Sequence, residues 1–203
     1  MSKVKSKKAD LFIDMTAMSD VTVLLLTFFM LTATFLPKEP IQVVTPPSVL
    51  EFKIPEANLL TILVKPDGQV YLNLDRNEDK LAVLELISEE YTNISFTNSQ
   101  KVSFLTQPII GVPISELPQF LDKSMQDQDD MLKTSGVPTD SLNNQLADWV
   151  RYAAMANKDL KIAIKADQST SYPKVNNIIT TLTDLKQNRF HLVTTLRGMP
   201  EGY

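Results

Sequence analysis

The run from Leu11 to Leu36, LFIDMTAMSDVTVLLLTFFMLTATFL, constrains this chain more than any other stretch. It holds no Lys, Arg, Glu, Gly or Pro, and about 20 predominantly apolar residues suffice to cross a bilayer as a helix. Its only charges are Asp14 and Asp20. Asp14 lies near the start, where a carboxylate reaches the headgroup level. Asp20 lies well inside the run and is followed by uncharged residues as far as Leu36. A carboxylate at such a depth costs about 2.5–3.5 kcal/mol on insertion scales. A simple anchor has no use for that cost, so Asp20 is the first functional candidate.

Helical positions advance by about 100° per residue. With Asp20 at zero, Thr16 falls near −40°, Thr27 near −20° and Thr34 near −40° on that period. The four residues therefore trace one polar stripe along a Leu/Phe/Val/Met helix. Polar groups at membrane depth face a protein interior or a watered cavity. For the threonines a second reading stands beside this one, because Thr in membrane helices also bonds its own preceding turn.

These residues resemble the transmembrane segment of the ExbD/TolR family, whose form is roughly N/D-x-T-P-x-x-D-[VL], a leucine-rich run, then F-[FM]-[ML]. Thr16, Asp20, Val21, Leu24-Leu25-Leu26 and Phe29-Met30 match it, and Ala17 stands in place of the usual proline. A second resemblance lies near the other end, where the family shows [IV]-x-[IV]-x-A-D-x-x-x-x-Y-x-x-V, a helix and a closing strand. Ile162-Ala163-Ile164-Lys165-Ala166-Asp167, Tyr172 and Val175 match that form. The resemblance implies that Asp20 is the proton-carrying carboxylate of an ion-driven motor, and that Thr16, Thr27 and Thr34 line its pore. It further implies an ExbB-like multi-span partner, pairing of the chain as a homodimer, and a TonB-like protein that receives the motion. A TolR-like role in envelope integrity is the near alternative, and a passive membrane-anchored scaffold the more distant one. No enzymatic activity, cofactor or metal is implied.

Composition fixes the setting. Lys3, Lys5, Lys7 and Lys8 precede the apolar run, and excess lysine beside a span marks the cytoplasmic side. The expected arrangement is a cytoplasmic tail over residues 1–10, a transmembrane helix over 11–36, an extended linker over 37–57 and a periplasmic domain over 58–203, in a bacterial inner membrane. The lysine cluster is too short and too close to the span to read as a nucleic-acid arm. The apolar run is longer than a signal-peptide core and contains Asp20, which favours an uncleaved anchor. With no Cys, disulfides, thiolate metal sites and cysteine nucleophiles are excluded.

The expected fold is α/β (α+β), with a two-layer domain after the single span. Pro37, Pro40, Pro46, Pro47 and Pro55 keep the linker extended, and Ile41–Thr45 and Glu51–Ile54 are its two strand candidates. Leu59–Lys65 and Gln69–Leu74 flank Asp67-Gly68, a strong hairpin signal. Lys80–Glu90 reads as a helix and Val102–Leu105 as a strand. Residues 107–158 read as a helical insertion, with a broken helical pattern over Ser115–Lys133 and a better one over Ser141–Asn157, capped by Asp140 or Ser141. Leu160–Lys165 reads as a strand, Pro173–Asn188 as a helix with Val175, Ile178, Ile179, Leu182 and Leu185 on one face, and Phe190–Leu196 as a strand.

Other constellations carry little chemistry. Asp127, Asp129 and Asp130 lack the Gly and distal Glu of a calcium loop and read as a solvated helix face. His191 is the single histidine, without a second ligand nearby. Asp167 ends a strand, where a capping or turn role is expected. No Gly-rich phosphate loop, nucleophile elbow or Ser/His/Asp set is present.

Overall fold

The computed structural model describes residues 15–33, 41–48, 57–140, 143–193 and 195–196. The chain forms two compact units, Met1–Lys38 and Glu39–Tyr203. In the first, helix α1 spans Met15–Thr32, and at 1.5 Å per residue it is about 27 Å long, close to the thickness of a bilayer's hydrocarbon core. All its side chains are exposed, Leu24, Leu25, Phe28 and Phe29 among them. A helix that is apolar around its whole circumference needs lipid or other protein against it.

The second unit runs β1 (Pro47–Ser48), β2 (Leu59–Val64), β3 (Val70–Leu74), α2 (Asn77–Glu90), α3 (Asn98–Thr106), a 3₁₀ turn (Ile114–Glu116), α4 (Leu117–Leu121), α5 (Met125–Thr134), β4 (Thr139–Asp140), β5 (Asn143–Asn144), α6 (Gln145–Ala156), β6 (Lys161–Ala166), α7 (Tyr172–Asp184), β7 (Phe190–Leu192) and β8 (Thr195–Leu196). The main sheet has the order β3-β2-β6-β7. β2 pairs antiparallel with β3 and parallel with β6, and β6 pairs parallel with β7. Parallel neighbours need a crossover; α7 supplies it between β6 and β7, and the chain from α2 to α6 separates β2 from β6.

The β2–β3 hairpin forms where Asp67-Gly68 predicts it. Gly68 adopts a left-handed φ of 83°, its amide donates to the Lys65 carbonyl at 2.9 Å, and the Lys65 amide donates to Gln69. That left-handed step is cheap for glycine. The strands bury Leu60, Ile62, Val64, Ile162 and Ile164 in one core with Val83, Leu84 and Ile87 of α2 and Ile178 and Leu182 of α7.

Five expectations are corrected. Val102–Leu105 is helical, inside α3. A capping box starts that helix: the Thr97 hydroxyl accepts from the Gln100 amide and the Gln100 side chain accepts from the Thr97 amide, satisfying two otherwise orphaned donors. In a strand Val102 and Phe104 would share a face; here Val102 is 61% exposed and Phe104 1%. Helix α6 begins at Gln145 rather than Ser141, with Asn144 as its cap, accepting from the Ala147 amide. Asp140 belongs instead to the short β4–β5 pair, and Ser141 lies outside the described residues.

The expected strand Phe190–Leu196 is two strands on two partners: β7 joins β6, while β8 pairs parallel with β1, Pro47 opposite Thr195 and Ser48 opposite Leu196. In the linker, Ile41–Thr45 forms no strand, though Ile41 and Val43 are buried; the strand comes later, at β1. Glu51–Ile54 lies outside the described residues.

Helix α7 also stops earlier than its apolar pattern, at Asp184. The Lys186 amide donates to Thr183 and the Gln187 amide to Leu182, with Lys186 at φ 58°. This is a left-handed helix stop that satisfies the last carbonyls.

Residues 107–158 are built into the same core. Ile110 exchanges two backbone hydrogen bonds of 2.8 Å with Leu72, and the Val137 amide donates to Val70. Both contacts cover the outer edge of β3, which would otherwise offer unpaired backbone groups. The segment also supplies Ile114, Phe120, Leu132, Leu146 and Trp149, each at most 1% exposed.

Candidate functional site

The membrane helix carries one acidic group among its described residues. Asp20 sits in the first half of α1 and has no hydrogen-bond or ion-pair partner among the described residues. Thr27 lies two turns further along the same face, and its hydroxyl donates to the Leu24 carbonyl at 2.9 Å. Thr22 and Thr32, on other faces, donate to Met18 and Phe28 in the same way. Internal bonding therefore satisfies the threonines on and off the stripe alike, and it does not set Thr27 apart. Thr16 lies within α1; Thr34 and Asp14 lie outside the described residues. Among its described residues α1 thus carries one carboxylate on an otherwise uncharged helix.

The second arrangement lies in the other unit, at the end of β6. Asp167 does more than turn the chain. Its Oδ1 accepts from the Ser169 amide at 2.9 Å and from the Ser169 hydroxyl at 2.5 Å. Its Oδ2 accepts from the Val44 amide at 3.0 Å, and the Gln168 amide returns a bond to the Val44 carbonyl at 2.9 Å. The carboxylate thereby fastens the linker to the sheet, with Ile41 and Val43 buried just before Val44. These bonds, Ser169 foremost and Val44 after it, hold the Asp167 carboxyl below its ordinary value of 3.8. A carboxylate with a depressed pKa in the folded state contributes stability above its unfolded pKa and loses it as pH falls through the folded one. The tether is therefore intact at neutral pH and is released only in acid below the usual Asp range. Sequence reading assigned Asp167 a local turn; its bond across the linker had no local signal.

Asp167→Ala is expected to accelerate hydrogen exchange at the Val44 amide by about fivefold to tenfold, since one charge-assisted bond is lost. Ile164 in the sheet centre should be unchanged. Unaltered exchange at Val44 would show that the buried apolar side chains alone hold the linker.

The remaining candidates stay apart. Asp127 accepts the Ser124 hydroxyl and Asp130 pairs with Lys133 on the exposed face of α5. His191 lies in β7 at the edge of the sheet. Among the described residues no three His, Asp or Glu side chains gather as a metal site.

An apolar helix long enough to cross a membrane, with Asp20 as the one acidic residue among its described positions, is followed by a mixed α/β domain. The family model "Biopolymer transport protein ExbD/TolR" matches residues 6–197, nearly the whole chain. No curated protein and no solved structure matches. The chain belongs to the ExbD/TolR family. That membership makes it a subunit of a biopolymer-transport energising complex, in a family of single-pass inner-membrane transport proteins that are not enzymes.

Proposed function

We propose that this chain is the proton-carrying subunit of an ExbB–ExbD-type motor, and that Asp20 is the group that carries the proton. The observation that supports this reading is an unpartnered carboxylate in an apolar helix of an ExbD/TolR chain. In this reading a proton bound and released at Asp20 switches the helix between a neutral and a charged state. A proton crossing 100 mV releases about 2.3 kcal/mol. In the proposed cycle that energy turns or shifts the helix within a multi-span ExbB-like pore, with Thr16, Thr27 and Thr34 facing the same watered surface. The lysine-rich N-terminus lies in the cytoplasm and the α/β domain in the periplasm. Two copies pair, and the motion passes to a TonB-like protein that energises outer-membrane transport.

The TolR-like reading shares every step but the last. A passive scaffold differs, because it needs no titratable span. Native mass spectrometry of the complex purified through a C-terminal tag tests the assembly. The expected mass contains two copies of this chain and a multi-span partner, and Asp20→Asn leaves that mass unchanged. A single copy without a multi-span partner would favour the scaffold.

A further inference from the structure

One end of the α/β domain is strongly basic, against the formal charge of −4 for the whole chain. β6 and β7 run parallel, so the loops that enter them meet at the same edge of the sheet. The α6–β6 loop brings Lys158, the first residue of β6 is Lys161, and the α7–β7 loop brings Lys186 and Arg189. Together they line a groove of about 810 Å³, in which Asp159 is the one acidic side chain.

Among the described residues these four cations make no ion pair and no side-chain hydrogen bond. Among the described residues, Arg76, Lys101, Lys133 and Arg151 make ion pairs, and Lys65, Lys80, Lys123 and Lys174 donate to carbonyl, amide or sulfur acceptors. Lys158, Lys161, Lys186 and Arg189 make none of these contacts among the described residues, and Lys165 is the only other such cation there. Four of these five cations therefore line one groove.

The groove's walls are held in place. The Asn157 side-chain amide donates to Asp79 at 2.8 Å and to Asn58 at 3.1 Å, and its oxygen accepts from the Asp159 amide at 3.0 Å. Asn157 is buried, so the α6–β6 loop is braced from behind. On the other wall Lys186 occupies the left-handed stop of α7 at φ 58°, a position where glycine or asparagine is usual. A cation there also meets the negative end of the α7 dipole. That accounts for Lys186 but not for Lys158, Lys161 and Arg189, which lie off the helix.

We propose that this groove binds a phosphate-bearing anion. Three ammonium groups and one guanidinium fork, reaching from two loops and the start of β6, match a ligand with several oxygen acceptors and more than one negative charge. A single carboxylate would occupy the fork and leave the lysines unmet. The same chemistry is offered by a soluble polyphosphate compound and by an anionic phospholipid headgroup.

The test uses the full-length chain in dodecylmaltoside micelles, titrated at low salt with sodium pyrophosphate, with dihexanoylphosphatidylglycerol and with sodium citrate. Pyrophosphate is expected to bind, and the double variant Lys161→Gln/Arg189→Gln to weaken it at least about tenfold, since two charge-assisted contacts are removed. Neither position has strained backbone, and both side chains are exposed, so thermal unfolding should be unchanged. Lys165→Gln should bind as the wild type does. Binding of the lipid with the same loss in the double variant would assign a headgroup, and binding of pyrophosphate alone would assign a soluble phosphate compound. Equal pyrophosphate binding by wild type and double variant, or citrate bound as tightly as pyrophosphate, would overturn the proposal.

Discussion

Replacing Asp20 by Asn is expected to leave the protein inserted and assembled but to reduce energy-dependent uptake of an iron siderophore to the level of cells lacking the protein. Asn has nearly the same shape and keeps hydrogen-bonding capacity, but its amide does not exchange a proton as a carboxyl group does. Any role of Asp20 in packing should survive the change, and any role in proton transfer should not. Asp20→Glu retains the acid and displaces it by one methylene, so partial uptake is expected. Asp14→Asn should have a small effect, because Asp14 comes near the start of the apolar run, where a carboxylate reaches the headgroup level. Thr27→Val should fall between, with the hydroxyl removed about 10 Å along the same face. Protein levels are matched by blotting before uptake is compared. Wild-type uptake by Asp20→Asn would leave the passive scaffold as the better account.

Trp149→Ala is expected to destabilise the α/β domain by about 3–5 kcal/mol, the range for removing a large buried aromatic side chain. Trp149 is 1% exposed and stacks on Phe104 with ring centroids 6.4 Å apart at 14°. It joins α6 to α3 in the core shared with the sheet. For a domain of this size the loss lowers the unfolding temperature by roughly 10 °C, measured by calorimetry on the full-length chain. Trp149→Phe should cost much less. It keeps an aromatic ring in place and removes the indole N–H, which has no hydrogen-bond partner among the described residues and so carries a desolvation cost of about 1–3 kcal/mol. An unchanged transition for Trp149→Ala would mean that residues 107–158 are a separable appendage.

What could be read from the chain was whatever has a short-range cause. The length of the apolar run and the depth of Asp20 are properties of consecutive residues, and α1 follows them. Asp67-Gly68 marks its own turn. The face of α7 repeats at helical spacing, and Ile178 and Leu182 are buried as that spacing requires. Where two local signals compete, over residues 97–105, the capping box outweighs the β-rich run. The β-rich run Val102–Leu105 hid the capping box of Thr97 and Gln100 just ahead of it.

Contacts between distant residues had no local trace. Val44 and Asp167 are 123 positions apart, and β1 finds β8 across most of the domain. The basic groove was equally hidden, because its lysines are spread over two loops and the start of β6 and become neighbours only when β6 and β7 lie side by side. Residues 107–158 read as an insertion because they do not match the form of the family that the flanking stretches resemble. The role of Ile110 and Val137 as a cover for β3 depends on an edge that only the assembled sheet reveals.

The central claim is that Asp20 carries the proton, and proton flux measures it without relying on any downstream receptor. The chain and its multi-span partner are reconstituted together in liposomes carrying a pH-sensitive dye, and an inward potential is imposed. The account predicts that wild-type complexes acidify the lumen, Asp20→Glu does so more slowly, and Asp20→Asn matches liposomes without protein. Flux through Asp20→Asn equal to wild type would contradict it.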